Sequence, residues 1–547
     1  MGRTFHLGAA VVAAAILGLI VALILVLATR AWPAIVRFGP SFLVGSRWDG
    51  VHNVYGAAPA IVDTLLTSGL ALLIAIPLAL GVAIFLTEMA PGWLRRPLGY
   101  VVDLSAAIPS VVYGFWAFIV LVPLMRSVVE PGLASLTGGR FPFASHSLGL
   151  DVFTTTIVIA AMILPTIAAF TRESLLAIPR IQRESALSLG ATRWEATRIA
   201  VLGPARPGVA VGVMLGLGRA LGETIAVTMV IGNVYILPGT LFSPGSTLAS
   251  QIATSFGGVG SGLQMSALVE LGLVLLAITA GVNAVARLIL WRIGDRAGTD
   301  GPNASHRWPA WRRLGRREER PVGPEDRGAR HGRAPPVLSR PTPGAERTPL
   351  PTSEVLTRRL RRRRASQWAI TLLAAGCVVL ALVPLAGVLT SAVQLGGAAV
   401  VQPTFYTSEP ALGCNPGPAR SCSLGGIGPA IEGTLIMLGL AALIAVPVGL
   451  LAGIYLSEYG RNRFARSISF LTEVMTGIPT ILIGVFVFVV FLYVDHNSAL
   501  SALSGGVALG VLMIPIVTRA TEEALRTVPQ AVREAGLALG FPRHRVT

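Results

Sequence analysis

Long apolar runs alternate with short polar segments along most of the chain. Ten runs stand out, at about 7–28, 60–86, 100–125, 151–170, 208–232, 265–291, 367–391, 429–457, 467–494 and 504–518. An α-helix rises about 1.5 Å per residue, so about 20 apolar residues cross a bilayer. The pattern therefore predicts an all-α, polytopic transmembrane protein. The first run is longer than the apolar region of a secretory signal peptide, so we predict a retained span.

Residues 293–365 interrupt this pattern. They are rich in Arg, Pro, Gly and Ser and poor in apolar residues. Such a segment cannot bury enough surface to fold, which predicts a disordered cytoplasmic linker. It separates a first membrane domain, 1–292, with six spans from a second, 366–547, with four. The arginine run 358–364 could bind nucleic acid or anionic lipid, but we favour a role in orienting the next span.

Composition and charge agree with a membrane protein. Hydrophobic residues make up 53% of the chain, charged residues 13%, and the mean hydropathy is +0.69. A net charge of +17 would suggest a nucleic-acid partner in a soluble chain. Here the arginines concentrate in connectors on one side of the spans, as the positive-inside rule describes. The rule explains the charge without nucleic acid. It places the N-terminus and the connectors 88–99, 171–207, 458–466 and 519–547 in the cytoplasm.

The chain has no lysine and three cysteines. Without lysine it cannot contain the phosphate-binding motif G-x-x-x-x-G-K-[ST], so ATP must be hydrolysed by a separate subunit and the chain is predicted not to be an enzyme. No cofactor or metal site is predicted, because the seven histidines lack ligand spacing. Cys377 is predicted to be a small apolar filler inside a span. Cys414 and Cys422 share an external loop and could form a disulfide.

The fifth apolar run carries a cation and an anion near its middle. An ionised side chain at that depth costs about 3 kcal/mol even on the mildest scale. In one continuous helix, Arg219 and Glu223 would share a face at spacing i, i+4, close to Gly212 and Gly216. Small residues there let a helix or a solute approach the backbone. One interpretation is a structural ion pair between helices, but we favour a path for a polar solute. The predicted pathway residues are Arg219, Glu223 and Thr224.

The two membrane regions repeat internally. Five residues recur 370 positions later, so that Thr64, Pro77, Glu88, Pro109 and Gly114 match Thr434, Pro447, Glu458, Pro479 and Gly484. Four recur 350 positions later, so that Pro165, Pro179, Glu184 and Gly190 match Pro515, Pro529, Glu534 and Gly540. Six spans separate the copies, which predicts a tandem parallel repeat about an axis along the membrane normal. The second copy has no counterpart of the last two spans, so we expect a truncated sequence.

Each copy also contains a polar connector with a Glu–Ala–Gly pattern. The residues are Glu184, Ala186 and Gly190 in the first copy and Glu534, Ala535 and Gly540 in the second. The pattern resembles the E-A-A-x-x-x-G cytoplasmic loop of bacterial ATP-binding-cassette importer permeases. The resemblance implies two short helices with a turn at the glycine, docked in a groove of the ATPase. Glycine there would supply the positive φ that ends the first helix. The Leu-Pro that follows the family's loop is shifted here to Leu202 and Pro204.

Longer stretches of the sequence resemble one subgroup of these importer permeases. Residues 106–118 and 216–233 look like the phosphate-specific importer permease of the PstC type, and 476–484 look like its PstA-type partner. The likeness covers nearly all of both membrane regions. It implies a PstC–PstA fusion in the bacterial plasma membrane, cut short in its second half, with phosphate passing Arg219 and Glu223. The implied partners are an ATP-binding-cassette ATPase dimer inside and a phosphate-binding protein outside. Arginine offers a fork of donors that suits phosphate oxygens.

Three other functions stay open. An ion-coupled secondary transporter could use Arg219, Glu223 or Glu270, although the paired connectors argue against it. A permease of the same class could carry molybdate or sulfate. A membrane-bound structural or signalling protein could work through its linker. Among the other acidic residues, we expect Glu88 and Glu458 only to mark cytoplasmic span ends, and Glu270 to be solvated near an external helix end.

Overall fold

The fold is taken from a computed structural model of the chain, which describes residues 2–140, 142, 148–258, 261–297, 353–409, 426–459 and 463–540. Its regular structure is helical apart from one short hairpin. Within these residues, nine helices are long and apolar enough to cross a membrane, six in the first half and three in the second. The prediction of an all-α, polytopic transmembrane protein is confirmed.

The first half contains most of the helices. They are α1 (Gly2–Phe38), α2 (Ser41–Val44), α3 (Ala58–Ile84), α4 (Gly92–Ala107), α5 (Ser110–Trp116), α6 (Val122–Leu124), α7 (Glu130–Thr137), α8 (Val152–Leu176), α9 (Arg180–Ser188), α10 (Arg193–Ala196), α11 (Leu202–Gly222), α12 (Ile225–Val230), α13 (Leu248–Phe256) and α14 (Gly262–Ala297). The antiparallel strands are β1 (Trp48–Asp49) and β2 (Val54–Tyr55). The π-helical segments are Phe85–Met89, Ala117–Leu121, Met125–Val129 and Thr197–Val201.

The second half has fewer described elements. Its helices are α15 (Ser353–Val400), α16 (Thr404–Thr407), α17 (Gly428–Ile454), α18 (Arg463–Thr476), α19 (Thr480–Val494), α20 (Ala502–Arg526) and α21 (Gln530–Ala538). A π-helical segment, Tyr455–Tyr459, follows α17, and a 3-10 turn, His496–Ser498, follows α19. With 15 residues, α19 is shorter than the other apolar helices of this half.

Several helices of the second half match those of the first in length and spacing. Both α3 and α17 have 27 residues, and both continue into a five-residue π-helical segment that contains a glutamate. Both α8 and α20 have 25 residues, and both α9 and α21 have nine. The helix starts also correspond, because Asp151 caps α8 by accepting from Thr154 N–H and Ser501 caps α20 through a capping box.

Proline has two different effects in these helices. Pro77 and Pro165 lie inside α3 and α8, and their counterparts lie inside α17 and α20. In contrast, the predicted span 100–125 is divided between α4 and α5, and Pro109 precedes the new helix. The predicted span 467–494 is divided in the same way before Pro479. The prediction of two continuous spans was therefore wrong. Ile108, directly before Pro109, has an extended backbone, a conformation that a following proline favours.

The first helix of each half packs against the other half. In the first half, α1 contacts α14 and also α17, α18 and α19 of the second half. In the second half, α15 packs against α3. A Cβ at Gly81 in α3 would lie 2.5 Å from Sγ of Cys377, so the glycine permits this close approach. Cys377 is buried in an apolar cluster, as predicted for a small filler.

The predicted linker, 293–365, is helical at both ends, because α14 and α15 extend into it. Arginine and leucine favour helix, which explains why the arginine run 358–364 continues α15. The prediction of disorder is wrong for these ends. The middle of the linker lies outside the described residues, as do Cys414 and Cys422.

Candidate functional site

A cavity of about 590 Å³ lies between the two halves. Its wall combines the α4–α5 loop, the α18–α19 loop and the end of α11. The two loops occupy corresponding positions in the repeat, and each ends at a proline that precedes a new helix. The polar side chains among the lining residues are Ser110, Arg219, Glu223, Thr224, Asn283 and Thr480. All three predicted pathway residues therefore line one cavity.

The helix that carries these residues is interrupted at the cavity. It ends at Gly222, Glu223 has an extended backbone with ψ 125°, and α12 begins at Ile225. The prediction of one continuous span over 208–232, with Arg219 and Glu223 on one helical face, was wrong. At this break the Thr224 hydroxyl donates a hydrogen bond of 3.2 Å to the carbonyl of Gly222.

Arg219 and Glu223 do not form an ion pair within 4 Å, although the structure describes both side chains. Arg219 Nη1 instead donates a hydrogen bond of 3.3 Å to Oγ1 of Thr166 in α8. Both charged side chains are half-buried. The interpretation of a structural ion pair finds no support in this geometry, whereas an arginine with donors at a cavity wall can bind an anion.

Two glycines expected near the pathway have another role. A Cβ at Gly212 would lie 2.9 Å from Cβ of Phe170, and one at Gly216 would lie 2.8 Å from Cδ1 of Ile167. Both neighbours belong to α8. These glycines let α11 and α8 pack closely, and they are absent from the cavity wall.

A close contact between the halves in the cavity wall was missed by sequence reasoning. A Cβ at Gly222 would lie 3.2 Å from Cα of Pro479. Ser110 and Thr480 also escaped notice, although each directly follows the repeated Ile-Pro. The 370-residue displacement was the signal that could have found them. Glu270 does not line the cavity and is buried at 7% exposure, so the expectation that it is solvated was wrong.

The predicted connectors form separate short helices. Of the predicted connector 171–207, residues 177–201 lie outside the long helices; this first connector holds α9, a turn at Gly190 with φ +80°, and α10. Of the predicted connector 519–547, residues 527–540 form the second connector, which holds α21 and a turn at Gly540 with φ +79°. The predicted positive φ at both glycines is confirmed. Glu184 and Glu534 are exposed at corresponding places in their helices. Of the two alanines, Ala186 is half-buried and Ala535 is exposed.

The connectors also present apolar side chains to solvent. Leu189 is 89% exposed and Leu539 is 77% exposed, each directly before the positive-φ glycine. Ile181 and Val532 are exposed on the same two helices. Both connectors thus expose apolar side chains at corresponding positions.

The second half also contacts the first connector. Arg363 Nε donates to Oε1 of Glu195 at 2.7 Å, and Nη2 donates to the carbonyl of Gly190 at 2.9 Å and to Oε2 of Glu195. Glu195 in turn forms a capping box with Thr192 at the start of α10. Within the arginine run, Arg363 thus binds protein groups.

Comparison with known proteins identifies the family. The family model of binding-protein-dependent transport system inner membrane components matches residues 75–295 and 445–547. The chain belongs to this family. The chain is 47% identical over 272 residues to the phosphate transport system permease protein PstC of Pasteurella multocida, covering 49% of this chain and 85% of the relative. It is 44% identical over 284 residues to PstC of Haemophilus influenzae, covering 51% of this chain and 90% of the relative.

A solved structure of the MetNI methionine ABC transporter is also similar to this chain. The identity is 22% and the TM-score 0.29, over 42% of this chain and 94% of that chain. Relatives named as transport permeases agree with the prediction that the chain is a membrane-embedded transport protein and not an enzyme.

Sequence reasoning missed one further pair of contacts, which involve Glu88 and Glu458. Glu88 and Glu458 were expected only to mark span ends. Each instead binds an arginine of a connector helix, Arg183 and Arg533 respectively. The sequence contained a signal for these contacts, since Glu88 recurs 370 positions later as Glu458 and Arg183 recurs 350 positions later as Arg533.

Proposed function

We propose that the chain is the membrane-spanning permease of an ATP-driven phosphate importer. In this proposal its halves are PstC-like and PstA-like, arranged as a tandem parallel repeat with the N-terminus in the cytoplasm. The observation that carries the proposal is the cavity between the halves, with Arg219 in its wall. Phosphate would pass through this cavity.

The side chains around the cavity suit a transient phosphate site. A guanidinium binds phosphate oxygens through charge-assisted hydrogen bonds. Hydroxyl groups of Ser110, Thr224 and Thr480 can accept or donate further bonds. Glu223 in the same wall repels an anion, which keeps binding weak enough for release. The relatives named as phosphate permeases favour phosphate over molybdate or sulfate.

The connectors would transmit the energy of ATP hydrolysis. Their exposed Leu189 and Leu539 fit an apolar groove on a separate ATPase dimer, and each stands beside a glycine turn that holds its position. Glu184, Ala186 and Gly190, with Glu534, Ala535 and Gly540, would form the docking surfaces. An extracytoplasmic phosphate-binding protein would deliver phosphate to the opposite side of the membrane.

Transport in reconstituted vesicles tests the proposal. The chain is combined with the ATPase and the binding protein, and uptake of labelled phosphate is measured with and without ATP. We expect ATP-dependent uptake that excess unlabelled phosphate abolishes and that molybdate and sulfate leave largely intact. Stronger competition by either of those anions would reassign the substrate. Uptake that persists without the ATPase and collapses with a protonophore would identify a secondary transporter.

A further inference from the structure

One arginine joins the first connector to the inner end of a membrane helix. Arg183 of α9 donates from Nε to Oε1 of Glu88 at 3.0 Å and to Oε2 at 3.3 Å. Glu88 lies in the π-helical segment that ends α3. The same guanidinium donates to the carbonyl of Ile178 at 2.6 Å and to that of Leu175. A single planar group therefore binds α3, the end of α8 and the start of the connector together.

The second half repeats this arrangement. Arg533 of α21 is paired with Oε1 of Glu458 at 3.0 Å, and Glu458 lies in the π-helical segment that follows α17. Arg533 Nη2 also donates to the carbonyl of Leu525, near the end of α20. Leu525 is the counterpart of Leu175 in the repeat. The carboxylates and guanidinium groups of both pairs are largely withdrawn from solvent.

The geometry has a mechanical consequence. A connector helix tied only through the chain to α8 could rotate about that joint without moving α3. Because Arg183 binds Glu88 and the α8 carbonyl of Leu175 at once, movement of α9 must displace the inner end of α3 or break these bonds. Arg183 Nε shares its hydrogen between both oxygens of Glu88, and a charge-assisted contact in partly buried surroundings is stronger than an exposed ion pair. It can therefore hold while the connector moves.

We propose that Arg183–Glu88 and Arg533–Glu458 are the two contacts that transmit connector movement to the inner ends of α3 and α17. Arg183 and Arg533 are positioning residues in this scheme. The inference rests on the proposed function, in which an ATPase moves the connectors. The alternative is that these two ion pairs only stabilise the ends of the helices. The experiment must distinguish this static role from transmission of connector movement.

The main experiment measures phosphate uptake and ATP hydrolysis together in vesicles that contain the chain, the ATPase and the binding protein. For Arg183→Gln and Arg533→Gln we expect the ATPase still to bind and to hydrolyse ATP, while phosphate transported per ATP falls at least tenfold. The matched control is Arg180→Gln. Arg180 is exposed on the same helix and its side chain makes no hydrogen bond or ion pair with another described residue. The Arg180→Gln variant should therefore transport as much phosphate per ATP as the wild type.

Two further variants separate transmission from folding. Glu88→Gln with Arg183→Gln should transport no less per ATP than the worse single variant, because both changes remove the same contact. Arg183→Lys keeps the positive charge, so it should transport more phosphate per ATP than Arg183→Gln. An unchanged ratio in Arg183→Gln and Arg533→Gln, or losses that multiply in the double variant, would overturn the inference.

A measurement without the ATPase keeps the two proposals distinguishable. Hydrogen exchange of the chain alone in lipid nanodiscs should be faster across α9 in Arg183→Gln than in Arg180→Gln. Equal exchange in the two variants would show that the contact does not hold the connector, whatever the ATPase does. If the wild-type chain binds no ATPase while Arg183→Gln still exchanges faster than Arg180→Gln across α9, the proposed function is refuted. The role of the contact in holding α9 would stand in that case.

Discussion

Gly222 offers the sharpest structural test of the contact between the halves. It is the last residue of α11 and lies against Pro479, which precedes α19. An added Cβ would lie 3.2 Å from Cα and 3.3 Å from Cβ of Pro479. Proline cannot rotate away, since these atoms belong to its backbone and ring. Gly222→Ala must therefore separate α11 from the second half by a few tenths of an ångström.

The expected cost follows from this crowding. Overpacking a tight contact by one methyl group costs about 1–3 kcal/mol, and each 1.4 kcal/mol is a factor of about ten in an equilibrium constant. Alanine regains up to about 1 kcal/mol of helix propensity, but less at a terminal position. We expect a net loss of about 1–2 kcal/mol, equivalent to a roughly 5- to 30-fold weaker association of the halves.

Gly218 provides the matched control. It lies one turn earlier in α11, lines the same cavity, and a Cβ there would meet no described atom within 4 Å. The assay compares the thermal-unfolding midpoint in detergent and phosphate uptake in vesicles. Gly222→Ala should lower both, and Gly218→Ala should lower neither midpoint nor uptake appreciably. Equal behaviour of the two variants would refute the close contact between Gly222 and Pro479.

Three further outcomes are expected. Gly190→Val should weaken ATPase capture, since a positive φ costs a β-branched residue about 1–2 kcal/mol; unchanged capture in a pull-down would contradict this. Leu189→Asp should reduce ATPase binding at least tenfold, because a buried leucine contributes about 1.5–3 kcal/mol, and titration against immobilised ATPase measures it. Arg363→Ala should speed hydrogen exchange at α10, whereas exchange equal to wild type would show that Arg363 does not hold the first connector.

The sequence predicted the class of fold and much of the site for clear physical reasons. Apolar runs of spanning length have few alternatives to helix in a membrane. Positive φ at Gly190 and Gly540 followed from the resemblance to the permease connector, in which a short helix ends at a glycine. The buried position of Cys377 followed from its place in an apolar run.

The helix breaks were beyond sequence reasoning. Pro77 lies inside a continuous helix, whereas Pro109 and Pro479 each precede a new one. A proline disfavours the preceding helical residue in every case, so neighbouring helices decide whether the chain bends or restarts. The break after Gly222 is also accompanied by contacts that the local sequence does not reveal, since Gly222 lies against Pro479 of the other half.

The roles of charged residues also depended on distant parts of the chain. Spacing alone placed Arg219 and Glu223 on one helical face, but the helix ends between them and the Arg219 guanidinium donates to Thr166 in another helix. Glu88 looked like a marker of a span end until the connector helix brought Arg183 against it. Contacts between residues far apart in sequence leave no periodic signal, and here only the internal repeat could have indicated them.

The measurement that tests the central claim most directly is ATP-dependent uptake of labelled phosphate by Arg219→Gln in reconstituted vesicles. Charge-assisted hydrogen bonds contribute about 1.5–3 kcal/mol, so we predict a roughly 10- to 150-fold loss of uptake. Membrane insertion and ATPase capture should equal those of wild type. Uptake at the wild-type rate, with the variant normally inserted, would contradict phosphate passage through this cavity.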